Sequence, residues 1–420
     1  MLLILSVLLA GAAPARAQVY PELLPATLSA DARISVLTMD PGEAVHARFG
    51  HSAIRVRDPA QQMDVVFNYG YFSYDDPLFI ARFIRGQLDY LLGVDTFDDA
   101  LAVYQAQRRR VVQQTLRLTA EQRQAAYRLL VDNARPDRDP PPRYRYRFLA
   151  DNCSTRVLDM VEAVVGERLV LPEPDEPRTY RQAIMAHLQG APLLRLGIDL
   201  GLGRPADELM DARQATFLPL PLMRVIDAAS IADAATGELR PLVAEERELY
   251  RPGDAAAGIG ARGVPLTPAA PPWPAAVLWA MLLMGVACTA WHCRMQRRRG
   301  QGWRSRPFAD AGLFGVVGVG GLILLGLGVA TEHDVTAPNY NMLWAWPTHA
   351  LAAAALLLWP GHRVMRGYLA LTAGAMALLA LGWWFVPQPL PLAVLPVALL
   401  VGLRAAYLAW VRPAGGEPAL

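Results

Sequence analysis

The sequence predicts an α+β domain in residues 18–264, followed by an all-α membrane domain in residues 275–412. Two observations carry this division. The first part contains short segments in which apolar and polar residues alternate, as in half-buried strands, together with amphipathic helical segments. The second part consists of long apolar runs. A proline-rich linker, residues 265–274, separates the two.

The chain opens with a segment typical of a secretory signal peptide, residues 1–17. Its first ten residues are almost entirely apolar, and Ala15-Arg16-Ala17 forms the small-x-small pattern that precedes a cleavage site. No arginine or lysine comes before the apolar run, so an uncleaved membrane anchor is the alternative. In both cases the domain that follows is exported.

Three segments of the exported domain alternate with the period of a strand and end at turn residues: 33–38, 52–57 and 63–69. His51 therefore stands at the start of the second strand. The period of two places Asp64, Val66 and Asn68 on one face of the third strand.

Helical periodicity follows in residues 97–109, 119–133 and 180–189, and an alternating segment lies at residues 144–148. A further helix is predicted to begin near Cys153 and to end at Gly166. Its apolar residues repeat at helical spacing: Val157, Met160, Val161, Val164 and Val165. The order of strands, helices and cysteine helix indicates an α+β domain rather than a parallel doubly wound sheet.

Cys153 has no evident disulfide partner, because Cys288 and Cys293 lie in or beside an apolar segment. Exported cysteines usually pair, so an unpaired thiol needs an explanation. A buried inert cysteine and an intermolecular disulfide are two explanations. The third is a reactive thiol, since the first turn of a helix favours an anion and offers N–H donors for an oxyanion.

His51 is the candidate base for such a thiol, and Asp64 or Asn68 would orient its imidazole. The alternative is a strand-end histidine bonded to the backbone. A metal site built from His46, His51 and Cys153 has no supporting ligand spacing. The sequence therefore predicts no metal and no cofactor.

The sequence contains no lysine, so arginine provides all of the basic side-chain charge. This excludes a Schiff base and a Walker lysine. No Gly-x-Ser-x-Gly elbow is present, which disfavours a serine hydrolase of that type. The net charge of +2 gives no reason to invoke nucleic acid.

Five membrane spans are predicted near residues 273–291, 308–330, 346–359, 367–386 and 392–410, the third being short for a bilayer. The loop after the first span carries six arginines, whereas residues 331–345 have none. Because positive residues mark the cytoplasmic side, the large domain is predicted to lie outside the membrane and the C-terminus inside.

Four motifs resemble those of the Lnb-type lipoprotein N-acyltransferase family and occur in the same order: Phe49-Gly-His51, Phe67-Asn-Tyr-Gly70, Phe83-Ile-Arg-Gly86 with Tyr90, and Asp151-Asn-Cys-Ser154. The likeness covers most of residues 30–250, and the spans with the run at 333–344 also look like the family's. The resemblance implies a circularly permuted NlpC/papain-like domain, in which the histidine strand precedes the cysteine helix.

The resemblance also implies a reaction. An acyl chain would move from the sn-2 position of a lipoprotein's diacylglyceryl group to the amine of the same modified cysteine. Carried over residue by residue, Cys153 would be the nucleophile that forms a thioester, and His51 its base and later acid. Asn68 or Asp64 would orient the histidine.

Four further residues are candidates for oxyanion or substrate contacts: Asn152, Ser154, Tyr69 and Arg85. Asn152 would assist the Cys153 backbone N–H at the oxyanion. Tyr69 belongs to an aromatic stretch that forms either a lipid-facing lip or ordinary core, and Arg85 binds an anionic group or is simply solvated.

Four residues of the predicted outer loop have two interpretations, contact with lipid headgroups or an ordinary interfacial belt: His333, Asn339, Asn341 and Trp344. The membrane spans favour a lipoprotein or acyl-lipid substrate.

Three functions therefore stay open: a membrane thiol acyltransferase, a cell-envelope cysteine amidase or peptidase acting on peptidoglycan, and a non-enzymatic membrane sensor or scaffold. The acyl acceptor and the oligomeric state are not predicted.

Overall fold

The computed structural model describes residues 24–44, 47–71, 82, 85–87, 89–134, 142–173, 177–253, 270–299, 308–359 and 362–410. The predicted signal peptide, His46 and the first half of the proline-rich linker lie outside these residues. The chain divides into two compact units. The first comprises Met1–Gly190 and Leu209–Pro268, and the second comprises Ala191–Glu208 and Ala269–Leu420.

The first unit is built on an antiparallel sheet of seven strands in the order β10-β5-β1-β2-β3-β4-β6. These strands are β1 (Arg33–Met39), β2 (His51–Asp58), β3 (Met63–Tyr71), β4 (Asp89–Thr96), β5 (Val111–Leu116), β6 (Tyr144–Arg145) and β10 (Val243–Tyr250). A smaller sheet contains β7 (Leu169–Val170), β8 (Ser230–Ala232) and β9 (Leu239–Pro241).

The three predicted strands are present, each one or two residues longer than its sequence pattern. Strand β5 was not predicted, because its sequence Val-Val-Gln-Gln-Thr-Leu does not alternate. Tertiary packing explains this strand: it lies between β1 and β10, and Gln114 is buried while its amide donates to the Met223 carbonyl.

Helices cover both faces of the large sheet. Helix α1 (Phe97–Ala106) packs on one face, and helices α2 (Ala120–Ala134) and α3 (Cys153–Val165) pack on the other. Because side chains alternate along a strand, Ile54 of β2 packs with α3, whereas Ala53 packs with α1. The start of β2 can therefore present groups to both faces.

Three shorter helices complete the first unit: α4 (Tyr180–Ala186), α6 (Ala212–Ala215) and α7 (Pro219–Ala228). Leu222 and Ile226 of α7 join the core beneath α3. The remaining short helix, α5 (Pro192–Gly201), belongs to the second unit.

The second unit is helical. It contains α8 (Trp273–Arg299), α9 (Phe308–Val329), α10 (Thr348–Leu358), α11 (Arg363–Gly382) and α12 (Leu395–Trp410). Within the residues that the structure describes, four helical stretches are long and apolar enough to cross a bilayer: Trp273–Arg298, Phe308–Val329, Arg363–Phe385 and Leu392–Trp410.

The third predicted span corresponds to α10, which has only 11 residues. At about 1.5 Å per residue it reaches roughly half of the hydrocarbon core. The count of five spans is therefore not confirmed. Helix α10 approaches α9 closely, because a Cβ added at Gly318 would lie 2.1 Å from the Ala350 nitrogen.

The predicted outer-loop residues hold α5 in place. The Asn339 amide donates to the Leu200 carbonyl at 2.7 Å, and the Gln388 amide donates to the Leu202 carbonyl at 3.1 Å. The last carbonyls of a helix lack partners within the helix, so these amides complete the end of α5. Asn341 is fully buried and its amide donates to Leu200 as well. The structure thus gives both asparagines a packing role instead of a headgroup contact.

A buried ion pair joins three spanning helices of the second unit. Arg404 of α12 makes two hydrogen bonds to the Asp310 carboxylate of α9, at 2.6 and 2.8 Å. A third arginine nitrogen donates to the Thr289 hydroxyl of α8 at 2.7 Å. Paired, two-pronged contacts of this kind are the stronger class of charged hydrogen bond.

Candidate active site

His51 owes its position to the glycine before it. Gly50 has a φ of +87°, a backbone conformation that side chains rarely tolerate, and a Cβ there would lie 2.8 Å from the Met39 carbonyl oxygen. The chain can therefore turn tightly into β2, where His51 pairs with Met39. This explains the Phe-Gly-His tripeptide of the sequence.

Cys153 is the first residue of α3, and Asn152 caps that helix. The Asn152 Oδ1 accepts hydrogen bonds from the backbone N–H groups of Ser154 at 2.7 Å and Thr155 at 3.1 Å. The Thr155 hydroxyl accepts from the Asn152 N–H in return, at 2.8 Å. This reciprocal capping box fixes the thiol at the helix N-terminus.

Both ends of the Asn152 amide have partners, the oxygen in this cap and the nitrogen outside it, so the side chain does not match the predicted role of oxyanion donor. Its Nδ2 donates to the carbonyls of Phe148 at 2.6 Å and Phe217 at 2.9 Å. The cap uses the N–H groups of Ser154 and Thr155, and leaves out that of Cys153. The Cys153 N–H is therefore the donor that the helix start offers to an oxyanion.

Ser154 fixes the helix against the sheet. It is fully buried, and its hydroxyl shares a hydrogen bond of 3.1 Å with the hydroxyl of Ser52 in β2. Since Ser52 follows His51 and Ser154 follows Cys153, this contact brings the two candidate residues together. Ser154 therefore acts in packing rather than in the predicted contact with substrate.

The Cys153 thiol is half-buried, and its pKa responds to His51. Burial alone would raise the pKa of this thiol. The positive charge of His51, together with polar contacts to the Ser52 backbone and Ser154, outweighs burial, so the pKa of Cys153 is lowered from its ordinary value. A thiol with a lowered pKa is a stronger nucleophile at neutral pH because more of it is thiolate.

The ring of His51 is the start of a series of hydrogen-bonded polar groups on the α1 face of the sheet. Its Nε2 lies 3.3 Å from the Asn68 Oδ1, and the Asn68 Nδ2 donates to the Asp95 carboxylate at 2.6 Å. The Tyr71 hydroxyl donates to the same carboxylate oxygen at 2.7 Å. The order Cys153, His51, Asn68, Asp95, Tyr71 is that of a nucleophile, a base and groups that orient the base.

Two family models match this chain. The Lnb N-terminal periplasmic domain matches residues 20–185, which include His51 and Cys153. The Lnb transmembrane domain matches residues 269–413, and together the two matches cover most of the sequence. The chain belongs to the Lnb-type family. Separate searches of the curated proteins and of the solved structures gave no match.

Membership of the Lnb-type family indicates a membrane enzyme that modifies lipoproteins, with a periplasmic part and a transmembrane part. The periplasmic match contains the chain of polar groups that begins at Cys153. The site of this Lnb-family protein thus lies in the region that its family describes as periplasmic.

Two residues were predicted as alternatives to orient His51. Asn68 contacts His51 in the structure, whereas Asp64 contacts Arg55. Asp64 makes two hydrogen bonds to Arg55, at 2.7 and 2.5 Å. Both candidates share one strand face, as predicted, but Asp64 lies four residues further from the end of β3 that meets His51.

Tyr69 is buried in the core on the opposite face of β3, where its hydroxyl accepts from the Asn133 amide at 2.8 Å. This position corrects the predicted contact with substrate and matches the alternative of core packing. Arg85 is exposed, in a short described stretch between β3 and β4.

Three residues around the histidine were not predicted at all. Asp95 stands near the end of β4, and the ring of Tyr104 in α1 stacks on the ring of His51, with centroids 6.4 Å apart. The Arg109 guanidinium lies over Tyr104, 5.1 Å from the ring centroid. Burial raises the pKa of Tyr104, so the phenol stays neutral beside the imidazole.

Sequence patterns gave little signal for these three residues. Tyr104 and Arg109 fall in a segment that looks like an ordinary amphipathic helix, and Asp95 closes a strand without alternation. Only pairing between strands places Asp95 beside Asn68, since Asn68 pairs with Gly93 of β4.

Proposed function

We propose that this Lnb-family protein is a cysteine-dependent acyltransferase. It would move an acyl chain from the diacylglyceryl group of a bacterial lipoprotein to the N-terminal amine of that lipoprotein, through a thioester on Cys153. The observation that supports this proposal is the contact of Cys153 with His51 at the N-terminus of α3, in a chain with membrane-spanning helices.

The first half-reaction forms the thioester. His51 takes the proton of the Cys153 thiol, and the thiolate attacks the ester carbonyl of the acyl chain. The tetrahedral oxyanion is stabilised by the Cys153 N–H and the positive end of α3. Collapse breaks the ester bond, and the glycerol oxygen leaves with the proton that His51 returns.

The second half-reaction forms the amide. The lipoprotein's amine attacks the thioester, and His51 accepts a proton from that amine as the bond forms. Collapse of the second tetrahedral intermediate breaks the carbon–sulfur bond and regenerates Cys153. No net oxidation or reduction takes place, and no cofactor enters either step.

The fold that we propose for the first unit is a permuted NlpC/papain-like domain. In the structure the histidine strand β2 precedes the cysteine helix α3, and α3 packs on the sheet through Val157, Leu158 and Val161. We place the protein in the bacterial inner membrane, with the first unit in the periplasm. The arginines after α8 support this orientation.

Hydrolysis is the closest alternative, because the same thiol and histidine would cleave a peptide or an ester if water were the acceptor. The four apolar spans favour a lipid-linked substrate over soluble wall peptides. An acyltransferase and a hydrolase differ in one product: only the acyltransferase leaves the acyl chain on the lipoprotein.

The test is mass spectrometry of a lipoprotein's N-terminal lipopeptide from cells that produce the wild-type chain, Cys153→Ala or Cys288→Ala. Cys288→Ala is the matched control, since Cys288 is exposed in the second unit. We expect the acyl chain to move from glycerol to amine with wild type and control. With Cys153→Ala, transfer should fall by at least about a thousandfold.

Two outcomes would contradict the proposal. Undiminished transfer with Cys153→Ala would remove the thioester, and loss of the acyl chain without its appearance on the amine would identify a hydrolase instead.

A further inference from the structure

We infer that Asp95 is a positioning residue: through Asn68 it fixes the tautomer of His51, so that Nδ1 is the nitrogen that receives the thiol proton. This inference rests on the proposed chemistry of Cys153 and His51.

The contact with Asp95 fixes the orientation of the Asn68 amide. An ionised carboxylate has acceptors only, so the Asn68 atom 2.6 Å from the Asp95 Oδ2 must be the donor, Nδ2. The Asn68 Oδ1 then faces the His51 Nε2 at 3.3 Å. Without a carboxylate at Asp95, the two ends of the amide could exchange places.

The orientation of the Asn68 amide determines which nitrogen of the His51 imidazole carries the hydrogen. An amide oxygen only accepts, so the His51 Nε2 must carry a hydrogen. In the neutral ring the lone pair is then on Nδ1, the nitrogen left to face Cys153. A reversed amide would place N–H donors against Nε2, drive the proton to Nδ1 and turn a donor toward the thiol.

The same orientation stabilises the ion pair that follows proton transfer. In the imidazolium both ring nitrogens are donors, and the Asn68 oxygen accepts from one of them. The charge of Asp95 lies on the far side of Asn68 from His51 and has the opposite sign to the imidazolium. Both effects favour the charged state of His51 and Cys153.

Tyr71 helps to hold the Asp95 carboxylate in place. Tyr71 donates to the same carboxylate oxygen at 2.7 Å, so the carboxylate is fixed from two sides. The ring of Tyr71 lies directly over Gly93, where an added Cβ would be 2.3 Å from its Cδ2. Strand β4 therefore supplies both the carboxylate and the space for the tyrosine that orients it.

The experiment measures kcat and KM for acyl transfer in the full-length protein, together with the rate at which iodoacetamide alkylates Cys153 at pH 7. All variants carry Cys288→Ala and Cys293→Ala, so that only Cys153 reacts. The variants are Asp95→Ala, Asp95→Asn, Asn68→Ala and the double variant of Asp95→Ala with Asn68→Ala.

Asp89→Ala is the matched control, because Asp89 lies on the same strand and pairs with Arg145 at 3.1 Å instead.

We expect Asp95→Ala to lower kcat by about a hundredfold with KM unchanged, at the low end of what a well-placed base contributes. Its alkylation should slow by about tenfold, because the thiolate loses support. Asp95→Asn keeps an oxygen for the Asn68 amide but loses the charge and the fixed orientation, so it should recover only part of kcat. The double variant should lose no more than Asn68→Ala alone, since Asp95 acts through Asn68.

Additive losses in the double variant would overturn the inference, and so would a change in KM rather than kcat. The proposed function fails in a different way. Slow alkylation in the unaltered site, or transfer that survives Cys153→Ala, would remove the thiol chemistry itself. Fast alkylation that Asp95→Ala leaves unchanged would remove only the role of Asp95.

Discussion

The two units of this protein each contain an aspartate on which a polar network depends, Asp310 buried and Asp95 half-buried, and the two networks differ in charge. Asp310 in the second unit is matched by the Arg404 guanidinium through two hydrogen bonds. Asp95 in the first unit receives hydrogen bonds from Asn68 and Tyr71, which are both neutral.

The difference separates a structural network from one that includes the proposed catalytic residues. Asp310 and Arg404 neutralise each other and join α8, α9 and α12 through Thr289, so nothing in that network needs to gain or lose a proton. The charge of Asp95 has no cation in direct contact among the described residues, and burial raises its pKa. Its nearest partner through Asn68 is His51, a group that changes charge during the proposed reaction.

The largest effect, on thermal stability, should come from breaking the ion pair of Asp310 and Arg404. Asp310→Ala leaves Arg404 buried without its counter-ion, which typically costs about 3–5 kcal/mol. We expect a loss of several degrees or more in the thermal midpoint of the protein in detergent. The double variant Asp310→Leu with Arg404→Met should regain most of that stability, because no lone charge remains. A double variant no more stable than Asp310→Ala would show that the pair is not a unit.

Removing His51 should have the next largest effect, which is on the pKa and alkylation rate of the Cys153 thiol. Without the imidazolium, only the Ser52 backbone and Ser154 oppose the burial of Cys153, so the pKa of the thiol should rise. The pH midpoint of alkylation should therefore move upward in His51→Ala, and the rate at pH 7 should fall by roughly tenfold or more.

The exposed His362 provides the control, since His362→Ala lies in the second unit and should leave the midpoint in place. An unchanged midpoint in His51→Ala would show that the histidine does not support the thiolate.

The smallest effect should come from the support of Asp95. Gly93→Ala places a Cβ against the ring of Tyr71, so the ring must move and its hydrogen bond to Asp95 should weaken. The loss of one such bond is worth about 1 kcal/mol, which corresponds to a decrease of about fivefold in kcat.

Tyr71→Phe should give a similar decrease, and Gly253→Ala is the control, because a Cβ there meets no atom within 4 Å. If Gly93→Ala were as active as the control, the tyrosine would not contribute to the site.

Local patterns were enough to predict the parts of the site that lie on single elements. The helical repeat after residue 153 placed Cys153 at a helix start, and the period of two put Asn68 on a defined face of its strand. The long helices of the second unit followed from length and hydropathy alone, and the span at α10 was already predicted to be short for a bilayer. The structure adds the close approach of α10 to α9 at Gly318.

Contacts between distant elements could not be predicted from the sequence. Whether Asp64 or Asn68 orients His51 depends on strand register, which a period of two leaves undecided. Asp95 reaches the site only through the pairing of β3 with β4. The family resemblance implied a role for Asn152 at the oxyanion, but an asparagine at that position also caps the helix. Its Oδ1 forms the cap, and its Nδ2 donates to the Phe148 and Phe217 carbonyls.

The placement of α5 changes what an isolated catalytic fragment would be. The polypeptide leaves the first unit after Gly190 and returns at Leu209, and between these points its hydrogen bonds are made with residues such as Asn339 and Gln388. A soluble fragment that stops at the proline-rich linker would keep α5 but lose those partners. It would expose Leu196 and Leu200, which pack on the membrane helices, and leave the carbonyls at the end of α5 without their donors. The two halves of this enzyme are thus joined by the path of the chain, so that neither can be cut out whole at the linker.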